Sequence, residues 1–321
     1  MADIRGKRPT RRRAVAVGEL HAGVEAFAAI VERRLPKGDA LVMAEIAGLQ
    51  GAKQASSLMP LCHPLLLELV RVRCVPVADR NAIRVYCEVA TEARTGVEME
   101  ALAGASAALL TLYDLTKPVD PALSIEAVRL LFKEGGKKGV WRHPLGMSAE
   151  ETAHYRPRDI SRLDGVACAV VTLSDRASAG DAEDASGPEL SRGLAGLGAD
   201  VRSEILPDGV EPLRSHLLSL RDAGIRLCLC TGGTGLGPRD CTPEALIAAG
   251  GVEVEGLAEM FRSESRHYTS LAWLSRARAV RLDRMLVIAL PGSPRAARQG
   301  FEILAPVLAH SLAMIDGAGH A

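Results

Sequence analysis

The stretch TGVEMEALAGASAALLTLYDLTK, residues 95–117, is rich in alanine and leucine and carries ionisable residues near both ends. Its composition predicts one long helix, which the following proline would end. Glu98 and Glu100 lie near its start, and Asp114 and Lys117 near its end. Asp114 and Lys117 are three residues apart, so they are neighbours on one helical face. They form either an ordinary surface ion pair or, if the lysine is desolvated, a general acid–base pair whose lysine pKa is tuned toward neutrality.

The length of this helix would separate its two ends. Glu100 and Asp114 are fourteen positions apart, which corresponds to about 21 Å along a helix and only about 40° in direction. One compact ligand could hardly contact both residues on one subunit. We therefore hypothesise a site that is completed across a subunit interface. Thr95 and Glu98 also match a capping box, so Glu98 could have a purely structural role.

The bulk composition excludes several classes of protein. The 321 residues suggest two domains, because a domain has roughly 150 residues. Lys+Arg and Asp+Glu both number 39, and without a basic excess no nucleic-acid partner is expected. The short basic run at residues 7–13 is typical of a solvated arm. No apolar run reaches the roughly 18 residues of a membrane span, and the scattered cysteines favour a soluble protein in the reducing cytoplasm.

A change of composition divides the chain. Residues 141–164 contain two prolines, many charges and no sustained apolar period, which is typical of a linker between domains at 1–140 and 165–321. In the first domain, alternating residues predict strands and other segments have helical composition. The predicted strands are 71–76 and 83–89, and the predicted helices are 24–35, 95–117 and 124–133. Antiparallel strands with helices on one face make an α+β fold.

The second domain begins with a continuous apolar run at 166–173, which is typical of a strand buried on both faces. Strands and helices then alternate along the chain. The further predicted strands are 201–206, 227–230 and 285–290, and the predicted helices are 188–197, 211–223 and 294–315. This alternation predicts an α/β fold with a doubly wound, mostly parallel sheet.

Short polar motifs occur throughout the first domain. In Leu61-Cys62-His63-Pro64 the histidine is either a hydrogen-bonded turn residue or part of a site, and zinc is not expected because Cys62 and His63 are adjacent. Seven blocks follow the order found in one enzyme family: Lys37-Gly38-Asp39, Ile46-Ala47-Gly48, residues 60–65, residues 95–102, Tyr113-Asp114 with Lys117, residues 128–131 and Gly135-Gly136-Lys137. Over about residues 3–139 the chain therefore resembles cyclic pyranopterin monophosphate synthase, an enzyme of molybdenum cofactor biosynthesis.

This resemblance implies a ferredoxin-like α+β fold, a homo-oligomer and an interfacial active site. It implies that 3′,8-cyclo-7,8-dihydro-GTP is converted to cyclic pyranopterin monophosphate with loss of pyrophosphate, without a required metal. It assigns acid–base catalysis to Asp114 and Lys117, and the handling of protons or phosphates to Lys37 and Lys137. The implied substrate-binding residues are Arg12, Leu61, Cys62, His63, Glu98, Met99 and Glu100.

A glycine-rich turn marks the second domain. Thr231, Gly232, Gly233, Thr234 and Gly235 directly follow a predicted strand, where backbone N–H groups can turn toward an anion. The turn is neither a P-loop nor a dinucleotide-binding fingerprint, and a purely structural role is an equally good explanation. A helix is predicted to follow it, with Thr242 as N-cap and Pro243 at the first helical position.

Other polar loops follow the predicted strands of this domain. In a doubly wound sheet the carboxyl ends of the strands meet at one crevice, and carboxylates there suit Mg²⁺. These loops are Ser174-Asp175-Arg176, residues 184–188, Leu206-Pro207-Asp208 and Pro291-Gly292-Ser293-Pro294. Over about residues 164–317 the chain resembles the molybdopterin-binding family that includes molybdopterin adenylyltransferase.

The second resemblance implies transfer of AMP from Mg-ATP to molybdopterin. It assigns catalysis and Mg²⁺ binding to Asp208 and Asp240, and phosphate binding to the turn at 231–235. The residues implied to line the pterin and nucleotide pockets are Ser174, Asp175, Ser186, Gly187 and Ser293. Three positions depart from the family pattern, namely Ala289, Glu255 and Val280. A non-catalytic pterin-binding or oligomerising module is therefore the alternative, and trimers or hexamers are the implied assemblies.

Overall fold

A computed structural model of the chain describes residues 1–136, 139–158 and 162–318. The chain forms two compact units, Met1–Asp159 and Ile160–Ala321. Two units of this size agree with the number of domains expected from the length. Within the described ranges, no helix is long and apolar enough to cross a membrane.

The first unit combines one antiparallel sheet with helices. Its elements are β1 (Thr10–His21), α1 (Val24–Val31), α2 (Ala40–Lys53), α3 (Ala55–Leu58), β2 (Leu69–Val77), β3 (Ala82–Ala93), α4 (Glu98–Thr116), β4 (Ser124–Glu134), β5 (Trp141–Arg142) and α5 (Ala149–Tyr155). The strand order is β2-β3-β1-β4-β5, and every neighbouring pair is antiparallel. This arrangement is the α+β class that the sequence predicts.

The predicted solvated arm at the N-terminus is wrong at residues 11–13. These residues belong to β1, which lies inside the sheet between β3 and β4. The Arg13 guanidinium contacts Glu88 at 2.6 Å and Glu134 at 3.3 Å on those neighbouring strands. Arginines whose charge is paired across a sheet can lie in a strand. A basic run alone therefore does not identify an arm.

The predicted helix at 124–133 is also wrong, because this segment is strand β4. Its pairing with β1 shifts register twice, between Val15 and Ala16 and between Val17 and Glu19. Ala127 has a positive φ of 54°, as is common in an irregular strand. A bulge interrupts the alternation of side chains, so the apolar pattern no longer has a period of two. The apolar pattern of this strand therefore resembled that of a helix.

Close packing between α2 and α4 covers one face of the sheet. A Cβ atom at Gly51 would lie 2.4 Å from the Cβ of Ala107, and one at Gly104 would lie 3.0 Å from the Gly48 carbonyl oxygen. Glycine is therefore required where the two backbones approach. Helix α2 was not predicted from the sequence, whereas α4 closely matches the predicted helix.

The predicted linker at 141–164 is wrong over most of its described length. Strand β5 pairs with β4, and α5 packs on the face of the sheet opposite to α2 and α4. The Glu151 carboxylate accepts hydrogen bonds from the Tyr86 hydroxyl (2.9 Å) and the Ser148 backbone N–H (2.8 Å). The Arg13 guanidinium donates to the Tyr155 carbonyl at 2.9 Å. Charged residues that a linker would expose here form the contacts that hold α5 against the sheet.

We expect Glu151→Ala to release α5 from the sheet. The substitution leaves the buried Tyr86 hydroxyl without its acceptor and removes half of a capping box, which should cost about 1–3 kcal/mol. Chymotrypsin should then cleave after Tyr155, which is buried where α5 packs on the sheet, faster than in the unaltered protein. Glu150→Ala, at the exposed neighbouring position, is the matched control. Equal cleavage rates for both variants would show that the Glu151 contacts do not hold the helix.

The second unit is a layered α/β structure. Its elements are β6 (Ala167–Leu173), α6 (Asp175–Ser178), α7 (Gly187–Gly196), β7 (Asp200–Leu206), α8 (Val210–Asp222), β8 (Leu227–Thr231), α9 (Thr242–Ala248), β9 (Val252–Glu253), α10 (Glu255–Ser265), β10 (Arg278–Leu282), β11 (Met285–Leu290) and α11 (Pro294–Ile315). The strand order is β7-β6-β8-β11-β10-β9. Strands β7, β6, β8 and β11 are parallel, and β10 and β9 are antiparallel additions at one edge.

Helices cover both faces of this sheet, as predicted. One apolar cluster joins β6, β8 and β11 to α7, α10 and α11, and the other joins the same strands to α8 and α9. Successive residues of β6 alternate between the clusters, with Val170 in the first and Val171 in the second. A strand buried on both faces has no polar alternation. The continuous apolar run at 166–173 therefore identified it correctly.

Candidate functional sites

The C-terminal end of α4 brings three predicted catalytic residues together. The Asp114 carboxylate lies 2.7 Å from the Lys117 Nζ and 3.4 Å from the Lys37 Nζ. Lys37 reaches this point because the Asp39 carboxylate caps α2 through the Leu41 and Val42 backbone N–H groups and so fixes the preceding turn. Predicted residues from two separate segments of the chain therefore form one cluster.

This cluster is exposed in the single chain. Lys117 and Asp114 keep 53% and 54% of their side-chain surface accessible. The hydrogen bonds from Lys117 and then Lys37 lower the pKa of Asp114, and the hydrogen bond to Asp114 raises the pKa of Lys117. In the single chain, Asp114 and Lys117 therefore form the first of the two alternatives, a surface ion pair. A carboxylate in contact with an exposed ammonium stabilises its charged form.

The N-terminal end of α4 holds a buried carboxylate. Glu100 is only 3% exposed, and its Oε1 lies 3.6 Å from the Cys62 Sγ. Its Oε2 has no hydrogen-bond partner among the described residues. Burial raises the pKa of Glu100, and burial followed by the charge of Glu100 raises the pKa of Cys62. The structure thus joins two of the predicted substrate-binding residues.

The predicted capping box at Thr95 is wrong. Helix α4 begins at Glu98, its N-cap Val97 makes no side-chain cap, and the Glu98 carboxylate contacts the Lys133 Nζ at 2.6 Å. Lys133 was missed because its segment was predicted to be a helix. On β4 it projects beside a predicted site residue. Thr95 and Glu98 therefore have the spacing of a capping box without forming one.

Arg12 adds a second positive charge near this end. Burial lowers the pKa of Arg12, while the nearby Glu98 carboxylate raises it. A Cβ atom at Gly136 would lie 1.8 Å from the Arg12 Nη1, so the glycine leaves room for the guanidinium. Lys137 lies outside the described residues. Arg12, one of the predicted substrate-binding residues, and Lys133 therefore place two positive charges near Glu98.

The remaining predicted residues of the first unit lie on one loop and one helix turn. His63 is partly buried beside Cys62, whereas Leu61 and Met99 are 71% and 41% exposed. Glu100 and Asp114 lie on the same helix, as predicted. The two clusters are therefore held apart by the length of α4.

The glycine-rich turn of the second unit adopts a conformation that needs glycine. Gly232 and Gly233 have φ angles of 104° and 61°. A Cβ atom at Gly232 would lie 2.4 Å from the Leu173 carbonyl oxygen. Thr242 begins α9 and its hydroxyl donates to the Gly232 carbonyl at 2.8 Å, while Cys241 is the N-cap instead of Thr242 as predicted. The turn is thus fixed by its neighbours at the end of β8.

Two acidic loops meet beside this turn. Asp175 and Asp208 exchange hydrogen bonds, each carboxylate accepting from the other's backbone N–H at 3.0 and 3.2 Å. The Asp240 carboxylate accepts from the Gly237 backbone N–H at 2.8 Å. A cavity of about 280 Å³ lies here and is lined by Leu173, Ser174, Asp208, Gly233, Gly237, Pro238, Arg239 and Asp240. The crevice expected at the strand ends is therefore present.

Several predicted ligand-binding residues instead hold the loops in place. The Ser186 and Gly187 backbone N–H groups both donate to Asp184 at 3.0 Å, and the Ser293 hydroxyl caps α11. The Thr231 hydroxyl donates to the Pro291 carbonyl at 3.0 Å. Like these residues, Asp175, Gly232, Thr234 and Gly235 are not among those lining the 280 Å³ cavity. Arg239, which lines the cavity and contacts Asp175 at 3.5 Å, was not predicted.

The carboxylates in this cavity suit a magnesium ion that arrives with a phosphate ligand. Among the described residues, no group of three or more His, Cys, Asp or Glu side chains could hold a metal. Asp208 and Asp240 both line the cavity. Mg²⁺ is commonly held by one or two carboxylates together with substrate phosphates and water. Asp208 and Asp240 are therefore the two carboxylates of this cavity that could take part in such a site.

Comparison with known proteins accounts for both units. The MoaC family model matches residues 1–136, and the model described as "Probable molybdopterin binding domain" matches residues 169–310. A molybdenum cofactor biosynthesis bifunctional protein from Synechococcus elongatus is 43% identical over 100% of this chain and 98% of its own length. The chain belongs to this bifunctional family. A second member, from Chlorobaculum tepidum, is 38% identical over 100% of this chain and 96% of its own.

Other relatives match only one of the two units of this chain. A cyclic pyranopterin monophosphate synthase from Dinoroseobacter shibae is 45% identical over 43% of this chain and 88% of its own length. The solved structure of a molybdopterin biosynthesis enzyme from Thermus thermophilus covers 47% of this chain and 97% of its own, with 37% identity and a TM-score of 0.44. The family relationship inferred from the sequence blocks is confirmed by the full-length matches.

The ion pair at Asp114 leads to a prediction about the pKa of Lys117. Asp114→Asn removes the carboxylate that raises this pKa, so the pKa should fall toward the ordinary lysine value of 10.5. An NMR titration of isotopically labelled lysine side chains would measure the change. Asp120→Asn is the matched control, since the Asp120 carboxylate accepts from the Ala122 backbone N–H. An unchanged Lys117 pKa in Asp114→Asn would contradict the ion pair.

The buried Glu100 leads to a prediction about stability and pH. Because its folded-state pKa is raised above the ordinary value of 4.5, the folded state binds more protons than the unfolded state between these two values, and stability falls as pH rises through that window. Glu100→Gln cannot ionise, so it should be more stable than the unaltered protein at neutral pH, and the difference should shrink as pH falls through that window toward 4.5. Urea unfolding followed by hydrogen exchange of the first unit would measure this.

Glu92→Gln, at an exposed position in the same unit, is the control for a general loss of negative charge. It should show no comparable pH-dependent difference. A stability difference for Glu100→Gln that stays constant between pH 4 and pH 7, at about the two ends of the carboxyl titration range, would contradict a raised pKa.

Proposed function

We propose that the first unit converts 3′,8-cyclo-7,8-dihydro-GTP to cyclic pyranopterin monophosphate and releases pyrophosphate. The cluster of Lys37, Asp114 and Lys117 carries this proposal. Opening and reclosing rings requires several proton transfers, and two lysines that share one carboxylate offer both donors and an acceptor. The relationship to enzymes named cyclic pyranopterin monophosphate synthase supports the choice of substrate.

The positive charges near the other end of α4 suit the leaving pyrophosphate. Arg12 and Lys133 flank Glu98 there, and cations beside a departing phosphate stabilise its developing charge. His63 and Lys137 are proposed to complete this phosphate-binding group. Glu100 and Cys62 are proposed to contact the base, because an unpartnered buried carboxyl oxygen is costly unless a ligand satisfies it.

A second copy of the chain is proposed to bring the two ends together. The ends of α4 that carry Glu100 and Asp114 are too far apart for one ligand, by the helical rise of about 1.5 Å per residue. Large apolar side chains remain exposed on α2 and α4, namely Val42, Met43, Ile46, Met99 and Leu110. Exposed apolar patches of this kind mark interaction surfaces. A homo-oligomer, trimeric or hexameric, would supply the missing half of each site.

The element order of the first unit supports the ferredoxin-like fold that the resemblance implies. A strand, helices, two strands, a helix and a strand follow each other along the chain, and the first four strands are arranged β2-β3-β1-β4. This is the pattern of a split β-α-β unit repeated once. The two principal helices α2 and α4 lie on the same face of the sheet.

We infer that the second unit binds molybdopterin and transfers AMP to it from Mg-ATP. A phosphate oxygen of molybdopterin would attack the α-phosphorus of ATP, the bond to the bridging oxygen would break, and pyrophosphate would leave. The cavity between Asp208, Gly233, Arg239 and Asp240 supports this inference. A cation and backbone N–H groups can receive phosphates, and two carboxylates can hold the Mg²⁺ that ATP brings.

The two proposed reactions are not consecutive, because sulfur must enter the pterin between them. Direct transfer of the first product to the second unit is therefore not expected, and covalent linkage would fix the ratio of the two activities. The substrates are small GTP-derived and pterin molecules, and neither nucleic acid nor membrane is a proposed partner. A cytoplasmic location agrees with the seven cysteines, each of which is free.

A crossed pair of variants tests both proposals. The protein receives enzymatically generated cyclic dihydro-GTP in one assay, and molybdopterin with Mg-ATP in another, and mass spectrometry identifies the products. Lys117→Ala should abolish the pterin product and leave adenylylation unchanged, whereas Asp240→Ala should do the reverse. Lys53→Ala, an exposed lysine on α2, is the control for loss of a surface charge.

The outcomes of these assays test the proposals for the two units separately. Absence of cyclic pyranopterin monophosphate from folded, oligomeric, unaltered protein would overturn the first proposal. Binding of molybdopterin without release of pyrophosphate would make the second unit a pterin-binding module, which is the alternative reading of its departures at Ala289, Glu255 and Val280.

A further inference from the structure

Arg276, which lies just before β10, contacts the glycine-rich turn at several points. Its backbone N–H donates to the Thr234 carbonyl at 2.9 Å, and its Nε donates to the Gly235 carbonyl at 2.8 Å. Its two terminal nitrogens donate to the Asp240 carbonyl and to the Glu244 carboxylate. One residue therefore connects the whole segment from the turn to the first residues of α9.

These contacts hold the carbonyls of Thr234 and Gly235, which directly follow the part of the turn that Thr242 holds. Glycines contribute no side chains, and a turn with positive φ angles at Gly232 and Gly233 has a high conformational entropy when it is not held. Each peptide group is planar, so fixing a carbonyl also fixes the N–H of the next residue. Arg276 holds the main chain of Asp240, and the carboxylate of that same residue lines the cavity.

The hydrogen-bonding geometry of arginine suits these contacts. Its planar guanidinium presents five N–H donors in fixed directions, so it can bond three acceptors at once, whereas a lysine ammonium cannot reproduce this fork. The Glu244 carboxylate contacts the same guanidinium and offsets its charge. Arg276 therefore acts by geometry more than by its charge on an approaching anion.

We propose that Arg276 is a positioning residue that holds the glycine-rich turn and Asp240 in the shape that receives a phosphate group. Its effect on ligand affinity rests on the proposed function of the second unit. Its effect on the turn itself does not. The two effects can be measured separately.

Amide hydrogen exchange of residues 232–240 measures the turn, and titration calorimetry with Mg-ATP measures the ligand. Arg276→Gln removes most of the N–H donors of the guanidinium. We expect amide exchange in the turn to become at least about tenfold faster and Mg-ATP binding to become about tenfold weaker. A tenfold change corresponds to about 1.4 kcal/mol. Arg276→Lys should fall between Arg276→Gln and the unaltered protein. Exchange in β11 should not change, which separates local loosening from unfolding.

Arg278→Gln is the matched control. Arg278 lines the same cavity of about 560 Å³ as Arg276, but it pairs with Glu253 at 3.3 Å, so its loss should leave the turn and the affinity unchanged. If exchange in the turn is the same in Arg276→Gln as in the unaltered protein, the proposal is overturned. If the unaltered protein binds no Mg-ATP, the proposed nucleotide function fails, and the exchange data still decide the role of Arg276. If Arg276→Gln does not fold, Arg276→Lys decides it by the same exchange measurement.

Discussion

The rigid length of α4 is the constraint on which the polar clusters of the first unit depend. The helix places Glu100 at one end and Asp114 at the other, and a helix cannot bend so that its ends meet. Its packing against α2, where glycine lets the backbones approach, keeps it in place on the sheet. The basic side chains and the buried carboxylate at the start of α4 are therefore separated from the lysines around a carboxylate at its end.

In the second unit the candidate site lies at the ends of several strands, whereas in the first unit the polar clusters lie at the two ends of one helix. Parallel strands β6, β8 and β11 end on the same side, so the loops after them meet without any long-range movement of the chain. The shape of the cavity depends on backbone more than on side chains. Gly232 needs its positive φ and the space beside Leu173, and Asp175 and Asp208 hold each other through main-chain N–H groups.

The sequence predicted most of the second unit and helices α1 and α4 of the first, because strong apolar patterns and turn residues are local signals, whereas α2 and α5 were not predicted. It failed at β4, where a bulge at Ala127 disturbs the alternation, and at β1, where Arg13 lies inside the sheet with carboxylates of both neighbouring strands paired to it. Lys37, Asp114 and Lys117 belong to short sequence blocks, and the structure brings these three residues together. Lys133 and Arg239 belong to no such block, and their roles depend on contacts with residues distant in sequence.

The direction of the Lys117 pKa shift sets a requirement for chemistry at the first unit. An exposed lysine beside a carboxylate becomes a weaker acid, because water and the carboxylate both stabilise the ammonium. A general acid near neutral pH needs the opposite shift, and desolvation is the physical means of producing it. No covering element lies over Asp114 in the described part of one chain, where about half of its side chain is exposed. For the proposed chemistry, the surface that desolvates the cluster would come from the substrate or from a second copy of the chain, and the exposed apolar residues of α2 and α4 support the second copy.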